Sequence, residues 1–550
     1  MYTCTPVLVI SRLKKMSCKM VCLALYIECH HESETLWNME SWFLILVSIG
    51  FTTIIKSLLF RRRDGKKLPP GPSFLFSHLL LLTNSLPNLQ FVLRGLKCKY
   101  GPIITLCIGS HLSVFVGSHS LSHQVLIQKG TTFSDRPKTW RIGGISSASY
   151  GPIWRAYRHN LGSNFLHPSN VKSYSWARKW VLGIMISRIQ EQQEAVGIVK
   201  VVDHIDVAML RLSLLMCFGD KVDESLVDDI ACVQDGLLSL AASWSFNVFL
   251  VSRWLAKMLF RNTWEKFNQL RIDRKQLLVS LIKSRTEGAR VADKKQMVAY
   301  IDTLVKLQVP GEEDTYEKGG KLTQKEMVTL CSEFLVVSSE TASSALQWII
   351  ANMVKHPSIQ QKLYNEIVAV VGPPPQPRVE PESVISEDKL QKMPYLKAVV
   401  LEGLRRHPPG HIALPHKVNE EVELQGYMIP KGATINFMIA EMGWDPEVWD
   451  EPMEFKPERF LLNEGNGCVF DIGGSKGIKM MPFGAGRRIC PGADLALLHL
   501  EYFVANLIWY FDWSVPDGYH VDLKEKIKFT VVMKNPLLAK ISLRTKKTTI

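Results

Sequence analysis

Three kinds of hydrophobic run recur along the chain. The first is Trp42 to Phe60, WFLILVSIGFTTIIKSLLF, nineteen residues with Lys56 as the only charge and Arg61, Arg62 and Arg63 directly behind. A helix of that length, at about 1.5 Å per residue, nearly spans a hydrocarbon layer of about 30 Å. Lys56 lies near the end and can snorkel to the interface. The triple arginine predicts that the rest of the chain stays on the cytosolic side. No other stretch reaches eighteen uninterrupted apolar residues, so the pattern predicts a single crossing. The second kind has helical spacing. Thr323-Gln324-Lys325-Glu326 is a capping box that opens a pattern running to Lys355 and stopping before Pro357. Met393 to Arg406 forms another helix, ended by His407-Pro408-Pro409, and Ala493 to Phe511 is a long apolar run. The third kind is short and strand-like: Ile103 to Gly109, Leu112 to Val116, Val422 to Ile429 and Phe529 to Met533. The expected fold class is mostly α with small β-sheets (α+β), behind an N-terminal single-pass transmembrane helix.

Polar and Gly/Pro punctuation divides the chain further. Arg61 to Lys67 is basic, and Leu68-Pro69-Pro70-Gly71-Pro72 comes directly after it. Each proline fixes its own φ and pushes its predecessor out of the helical region, which makes a stiff, non-helical elbow. Met39-Glu40-Ser41 is the short polar beginning expected of an uncleaved anchor, whereas residues 1–38 mix charges with short apolar runs such as Val21 to Ile27. The expected organisation is 1–38 as an upstream extension with Met39 the working start, 39–63 a membrane anchor, 64–72 a hinge, and 73–550 one catalytic body. The Gly/Pro-rich stretches at 310–320 and 372–381 are too short to separate domains.

Composition narrows the class. Of 550 residues, 46% are hydrophobic and 21% charged, which excludes disorder, collagen and coiled coil as the main state. Lys+Arg 66 against Asp+Glu 52 leaves +14. The basic residues are dispersed and no reading helix or finger accompanies them, so nucleic acid is not an expected partner. The eleven cysteines are scattered, odd in number and without a CxxC pair. That argues against a disulfide framework and for a reducing compartment. Cys18, Cys22, Cys29, His30 and His31 cluster, but their spacings fit none of the usual zinc patterns.

The most informative stretch is Pro482-Phe483-Gly484-Ala485-Gly486-Arg487-Arg488-Ile489-Cys490-Pro491-Gly492. A thiolate ligand must be held clear of bulky neighbours, with donors aimed at sulfur and a cation nearby. Gly486 and Gly492 permit close backbone approach, Phe483 can shield one face, and Arg488 supplies positive charge. Cys490 stands just before the apolar run from Ala493, so a helix N-terminus is expected to point at the sulfur and lower its pKa. A dinucleotide-binding glycine loop is excluded, because Ile489 stands where a glycine or alanine is needed. The stretch resembles the haem-binding loop F-x-x-G-x-R-x-C-x-G of the cytochrome P-450 haem-thiolate monooxygenases, matched at Phe483, Gly486, Arg488, Cys490 and Gly492. Five fixed positions arise by accident in about one in ten thousand chains of this length.

The resemblance covers 68–543 and is nearest to plant microsomal members of the A-type. It implies haem b with its iron on Cys490, and the propionates held by Trp154, Arg158, Arg488 and His416. Trp154 and Arg158 stand four apart in Tyr150-Gly151-Pro152-Ile153-Trp154-Arg155-Ala156-Tyr157-Arg158, on one helical face. It implies a buried charge triad of Glu402, Arg405 and Arg459 behind the haem, and an acid–alcohol pair, Glu340 and Thr341, relaying protons at the oxygen site. Pocket-lining positions would be Phe334, Ile412, Ala413, Leu414 and Val532. Partners implied are dioxygen, a lipophilic small molecule, the endoplasmic reticulum membrane that holds the anchor, and an NADPH-dependent reductase that delivers single electrons to a cytosolic catalytic domain. Two stretches depart from the family pattern. Val337-Ser338 replaces the small Ala/Gly-Gly pair before Glu340, and only about ten residues separate Asp135-Arg136-Pro137 from Ser146-Ser147-Ala148-Ser149. These departures motivate two rivals: a haem-thiolate lyase or isomerase, and a haem-binding remnant that no longer turns over.

Overall fold

The computed structural model describes residues 67–73, 76, 77, 80, 86–108, 111–137, 143–242, 258–288, 297–310, 320–374, 384–461 and 470–544. The apolar run 42–60, the extension 1–38 and the anchor 39–63 lie outside the described residues, as does the first part of the hinge. No helix among the described residues is long and apolar enough to cross a membrane. Residues 67–72 and 77 onward form one compact unit, which carries all the elements named below.

The longer helices are α1 (Leu86–Tyr100), α2 (Pro152–His159), α3 (Ser175–Val196), α4 (Val201–Phe218), α5 (Glu224–Ala241), α6 (Arg261–Gly288), α7 (Gln324–Lys355), α8 (Pro357–Val371), α9 (Pro394–Arg406) and α10 (Ala493–Tyr510). α7 begins at the expected capping box. The Thr323 hydroxyl accepts the Glu326 N–H at 3.3 Å, and the Glu326 carboxylate accepts the Thr323 N–H at 2.7 Å. The helix ends at Lys355, ahead of Pro357, whose missing N–H costs nothing in the first turn of α8. Between Ala342 and Val354 α7 is buried on every side, the mark of a helix enclosed by others rather than lying on a surface. α4, α9 and α10 pack around it. Trp348 is fully buried there; burying a side chain of that size stabilises by roughly 2–3 kcal/mol.

Four short strands form a separate sheet: β1 (Ile103–Ile108), β2 (His111–Val116), β3 (His416–Lys417) and β4 (Thr434–Phe437), in the order β1-β2-β4-β3. β1 and β2 pair antiparallel from Ile103↔Val116, β2 and β4 pair parallel from Ser113↔Thr434, and β4 meets β3 antiparallel at Ile435↔His416. The elbow 67–72 lies along this sheet without helix, as its prolines predict. The Pro70 carbonyl accepts the Thr105 N–H at 2.9 Å, and a side chain at Gly71 would collide with the Thr105 carbonyl.

Two strand expectations need correction. Val422 to Ile429 is not one strand but a hairpin, Val422–Leu424 and Tyr427–Ile429, because Gln425 and Gly426 both adopt positive φ and turn the chain back. Phe529 to Met533 shortens to Val531–Met533, paired with Glu525–Ile527.

That second hairpin meets the α9 exit at one carboxyl group. The Glu525 carboxylate lies 3.1 Å from His407 Nδ1 and 3.5 Å from His411 Nε2, with Arg406 at 3.9 Å. His407 is fully buried and stacks on Trp348 at 4.0 Å. Burial pushes the Glu525 carboxyl up to about 7, even against the charges of Arg406 and Arg94. A glutamate in the unfolded chain titrates near about 4.3. Between those values the folded protein holds a proton that the unfolded chain has released. This contribution to stability is therefore full below about pH 4.3 and fades as pH rises through about 7. Glu525→Gln, neutral throughout, should gain on the wild type by on the order of 1–3 kcal/mol between about pH 5 and about pH 8. Urea midpoints at the two pH values check this; a difference that stays constant with pH would mean that Glu525 titrates as it does in water.

Candidate functional site

The cysteine loop is closed by backbone. The Phe483 carbonyl accepts the Cys490 N–H at 2.9 Å, and Gly486–Arg488 forms a short 3-10 turn between them. Gly486 has φ +70°, and a Cβ there would collide with the Leu126 carbonyl of the π-helical segment Gln124–Gln128. Only glycine satisfies both constraints. At Gly492, no atom of the described residues beyond its chain neighbours lies within 4 Å of where a Cβ would be. The Gly492 N–H is bonded to the Cys490 sulfur.

The sulfur itself departs from expectation. Burial pushes the Cys490 thiol up, outweighing the downward pull of the Gly492 N–H and the Arg158 charge. A backbone donor and one guanidinium do not offset the removal of a thiolate from water. A metal ion does so, since a coordinated thiol loses its proton outright.

Around the loop stands a group of cations. Trp154 and Arg158 do share a face of α2, as their spacing predicts: Trp154 is buried under the Arg488 guanidinium at 4.4 Å, and Arg158 Nη1 donates to the Ile489 carbonyl at 2.7 Å. Arg488 donates to the carbonyls of Ser134 at 2.8 Å, Ile145 at 3.3 Å and Ala148 at 2.7 Å. Arg136, which the sequence marks only as the edge of a short segment, donates to Ser146 at 2.9 Å, Leu414 at 2.9 Å and Pro415 at 2.8 Å. Burial, with the Arg488 charge adding, pulls Arg136 down to about 9; burial also lowers Arg488 to about 10. Asp135 is the acid beside them, and it is shared with Lys417 at 3.2 Å.

His416 lies in the same group. Its Nδ1 is 2.7 Å from the Phe133 carbonyl, so Nδ1 is the donor. Burial first, then the Arg136 charge, pulls its pKa down to about 3. The arginines are donors available to an anion here.

On α7, Thr341 donates its hydroxyl to the Val337 carbonyl at 2.7 Å. Val337 is 39% exposed and is the exposed residue of α7 between 326 and 354. An exposed valine in an otherwise enclosed helix means that the protein leaves room beside that turn. Glu340 is turned to α5, where Gln234 Nε2 donates to it at 2.7 Å; burial holds its carboxyl above the ordinary value against that bond. Ser338 lies in the seam with α4, its hydroxyl 2.8 Å from that of Ser213 and 2.7 Å from the Phe334 carbonyl. Of the two bulky replacements, Val337 therefore stands on the Thr341 face and Ser338 is turned elsewhere.

The pocket expectations divide in the same way. Phe334 is 9% exposed and packs edge-on to Phe165 at 5.5 Å, inside an aromatic core with Tyr300. Ile412 bridges to Met438, and the Ala413 N–H is bonded to Phe437, whereas Leu414 is 46% exposed.

Comparison with known proteins decides the family. A family model described as Cytochrome P450 matches residues 68–543. "Cytochrome P450 89A9" of Arabidopsis thaliana is 43% identical over 518 residues, 92% of this chain and 99% of that protein. The chain belongs to the cytochrome P450 family. More distant plant relatives of this cytochrome P450 include "Flavonoid 3'-monooxygenase" of Arabidopsis thaliana, 27% identical over 87% of this chain and 92% of that one. A zebra fish cytochrome P450 solved with abiraterone shares the fold, with a TM-score of 0.65 at 23% identity, over 83% of this chain and all of that one. Family and fold make it a haem monooxygenase fed with electrons by a reductase.

The residues present fit that cofactor. Among the described residues, no group of three or more His, Cys, Asp or Glu gathers to hold a bare metal ion. An iron bound at Cys490 must therefore bring other ligands with it, as a porphyrin does. The excess of Arg136, Arg158 and Arg488 over Asp135 suits the two carboxylates of haem.

Proposed function

We propose that this cytochrome P450 inserts one oxygen atom of O2 into a lipophilic small molecule, of the kind plants make as specialised metabolites, with electrons from an NADPH-dependent reductase. The observation that carries the proposal is the Cys490 loop, closed by the Cys490 N–H on the Phe483 carbonyl and by Gly486 against the Leu126 carbonyl, with Arg158 and Arg488 bonded around it. Haem ligated there would supply dioxygen binding and O–O cleavage, which thiolate donation promotes. Arg158 and Arg488 hold the propionate side, with Trp154 as the floor under Arg488. Phe483 closes the loop by its carbonyl, and His416 braces the cation group by its Phe133 bond. Glu340, whose burial favours its protonated form, is the proton source, and Thr341 is the hydroxyl that passes the proton on.

Residues 39–63 are the anchor in the endoplasmic reticulum membrane, 64–72 the hinge and 73–550 the cytosolic catalytic domain in this reading. Lipid-soluble substrates would then reach it from the bilayer. Arg155 and Arg487 are exposed and flank the Tyr150 ring at 5.6 and 5.8 Å on the cysteine side, a surface suited to an acidic reductase.

Expression from Met39 with a reductase tests the reading. A thiolate-type band in the reduced carbon monoxide spectrum and NADPH- and O2-dependent product from a lipophile are expected. Thr341→Ala should keep the band and lower product by roughly a hundredfold or more. Val337 on the Thr341 face is the observation that favours a lyase or isomerase; product formed without reductase or dioxygen would decide for that rival.

A further inference from the structure

The segment Gly144 to Ala148 is gripped from two sides by opposite charges. From α7, the Glu333 carboxylate accepts the Ile145 N–H at 2.6 Å, the Ser146 N–H at 2.8 Å and the Ser146 hydroxyl. From the other side, Arg488 donates to the Ile145 and Ala148 carbonyls and Arg136 to the Ser146 carbonyl. The peptide units at 145 and 146 thus bond an anion at each N–H and a cation at each C=O, an arrangement in which each charge-assisted bond polarises the next. The grip is tight. A Cβ on Gly144 would collide with the Glu333 carboxylate, although Gly144 has no positive φ that would itself require glycine.

Position gives the clamp its meaning. Glu333, Val337 and Thr341 stand at intervals of four on α7 and so share one face over two turns. The strap is fastened to the same face that carries the open turn at Val337. It also fixes Arg136 and Arg488, two of the three arginines beside the cysteine loop.

We propose that Glu333 is a positioning residue: by holding the 144–148 strap it aims Arg136 and Arg488 at the haem carboxylates and so retains the cofactor. This rests on the haem-thiolate reading. It goes beyond that reading by assigning cofactor retention to a carboxylate whose hydrogen-bond partners, among the described residues, are the Ile145 and Ser146 N–H groups and the Ser146 hydroxyl. Residues that orient a cofactor's direct partners typically change its affinity tenfold to a hundredfold when removed.

The test uses the full chain with Glu333→Ala, Glu333→Gln, Gly144→Ala and the double variant. Two readouts are taken: amide hydrogen exchange across 144–148, and the rate of haem transfer to a scavenging apoglobin. Glu333→Ala should open the strap to exchange and speed haem release about tenfold, with Glu333→Gln between it and the wild type. Gly144→Ala should do the same in the wild type, yet add little once Glu333 is alanine, because the collision has gone. Haem release within about twofold of wild type, or a Gly144→Ala effect that is the same with and without Glu333, would overturn the proposal. If Glu333→Ala does not accumulate, Glu333→Gln and Gly144→Ala carry the comparison. A wild-type chain that takes up no haem would sink the haem-thiolate function, while the exchange readout still judges the clamp.

Discussion

Cys490→Ala should fold with unchanged helix content and yet show no thiolate-type band and no product above background. Alanine keeps the Cβ and the backbone, so the Phe483 carbonyl still accepts the N–H at 490, and Gly486 still meets Leu126. What disappears is the one soft donor in the loop. Any haem retained would then rest on Arg136, Arg158 and Arg488 alone, with another or no axial ligand and a spectrum to match. Far-ultraviolet dichroism separates folding from ligation, and the reduced carbon monoxide spectrum reads the ligand. A variant that keeps the thiolate band would remove Cys490 from the site and with it the case for this loop.

Glu402→Ala should be the most damaging change to stability. The Glu402 carboxylate and the Arg405 guanidinium are both fully buried, paired through two bonds of 2.7 and 2.8 Å. Arg459 joins at 3.2 Å and the Lys456 N–H at 2.8 Å. Arg405 also ties the carbonyls of Gly443, Pro452 and Glu454 to α9. Removing the carboxylate leaves a fully buried cation without its anion, which costs roughly 3–5 kcal/mol. Against a typical total of about 5–15 kcal/mol, the folded population should fall sharply. Replacing both partners, Glu402→Leu with Arg405→Met, should cost less than Glu402→Ala alone, since no charge is then stranded. The contrast is the Lys362–Glu458 pair at 2.7 Å, about half exposed on both sides, where Lys362→Ala should cost under about 1 kcal/mol. Denaturant midpoints across these variants give the order; equal losses at Glu402 and Lys362 would mean that the triad is not held out of water.

The parts of the site that could be read from the chain are those in which chemistry and spacing are local. Phe483 to Gly492 carries its own closure, and Trp154 with Arg158 needs only one turn of helix. Thr323 with Glu326 fixes the start of α7 within four residues. Even there, direction is a tertiary matter. The sequence puts Ser338 beside Thr341, but Ser213 of α4 offers its hydroxyl a partner in the seam. The resemblance puts Phe334 in the pocket, but Phe165 and Tyr300 take it into the core.

Arg136 and Glu333 escape a reading of the sequence for the opposite reason. Nothing near them in the chain marks them, because their partners are backbone groups as many as 279 residues away for Arg136 and 188 for Glu333. Backbone carbonyls and amides are the same in every residue and leave no trace in composition or period. The strands β3 and β4 escape it because two to four residues cannot establish alternation.

The chain by itself therefore determined a mostly helical body, the long central helix, and a cysteine prepared for a metal, since each arises from hydrogen-bonding and steric rules acting within a few residues. Only the tertiary structure decided that burial pushes the Cys490 thiol up, that His416 bonds the Phe133 carbonyl, and that two arginines and one glutamate grip a single strap between them. Those outcomes depend on desolvation and on long-range pairing of charge with backbone, and neither exists until the core has closed around the site.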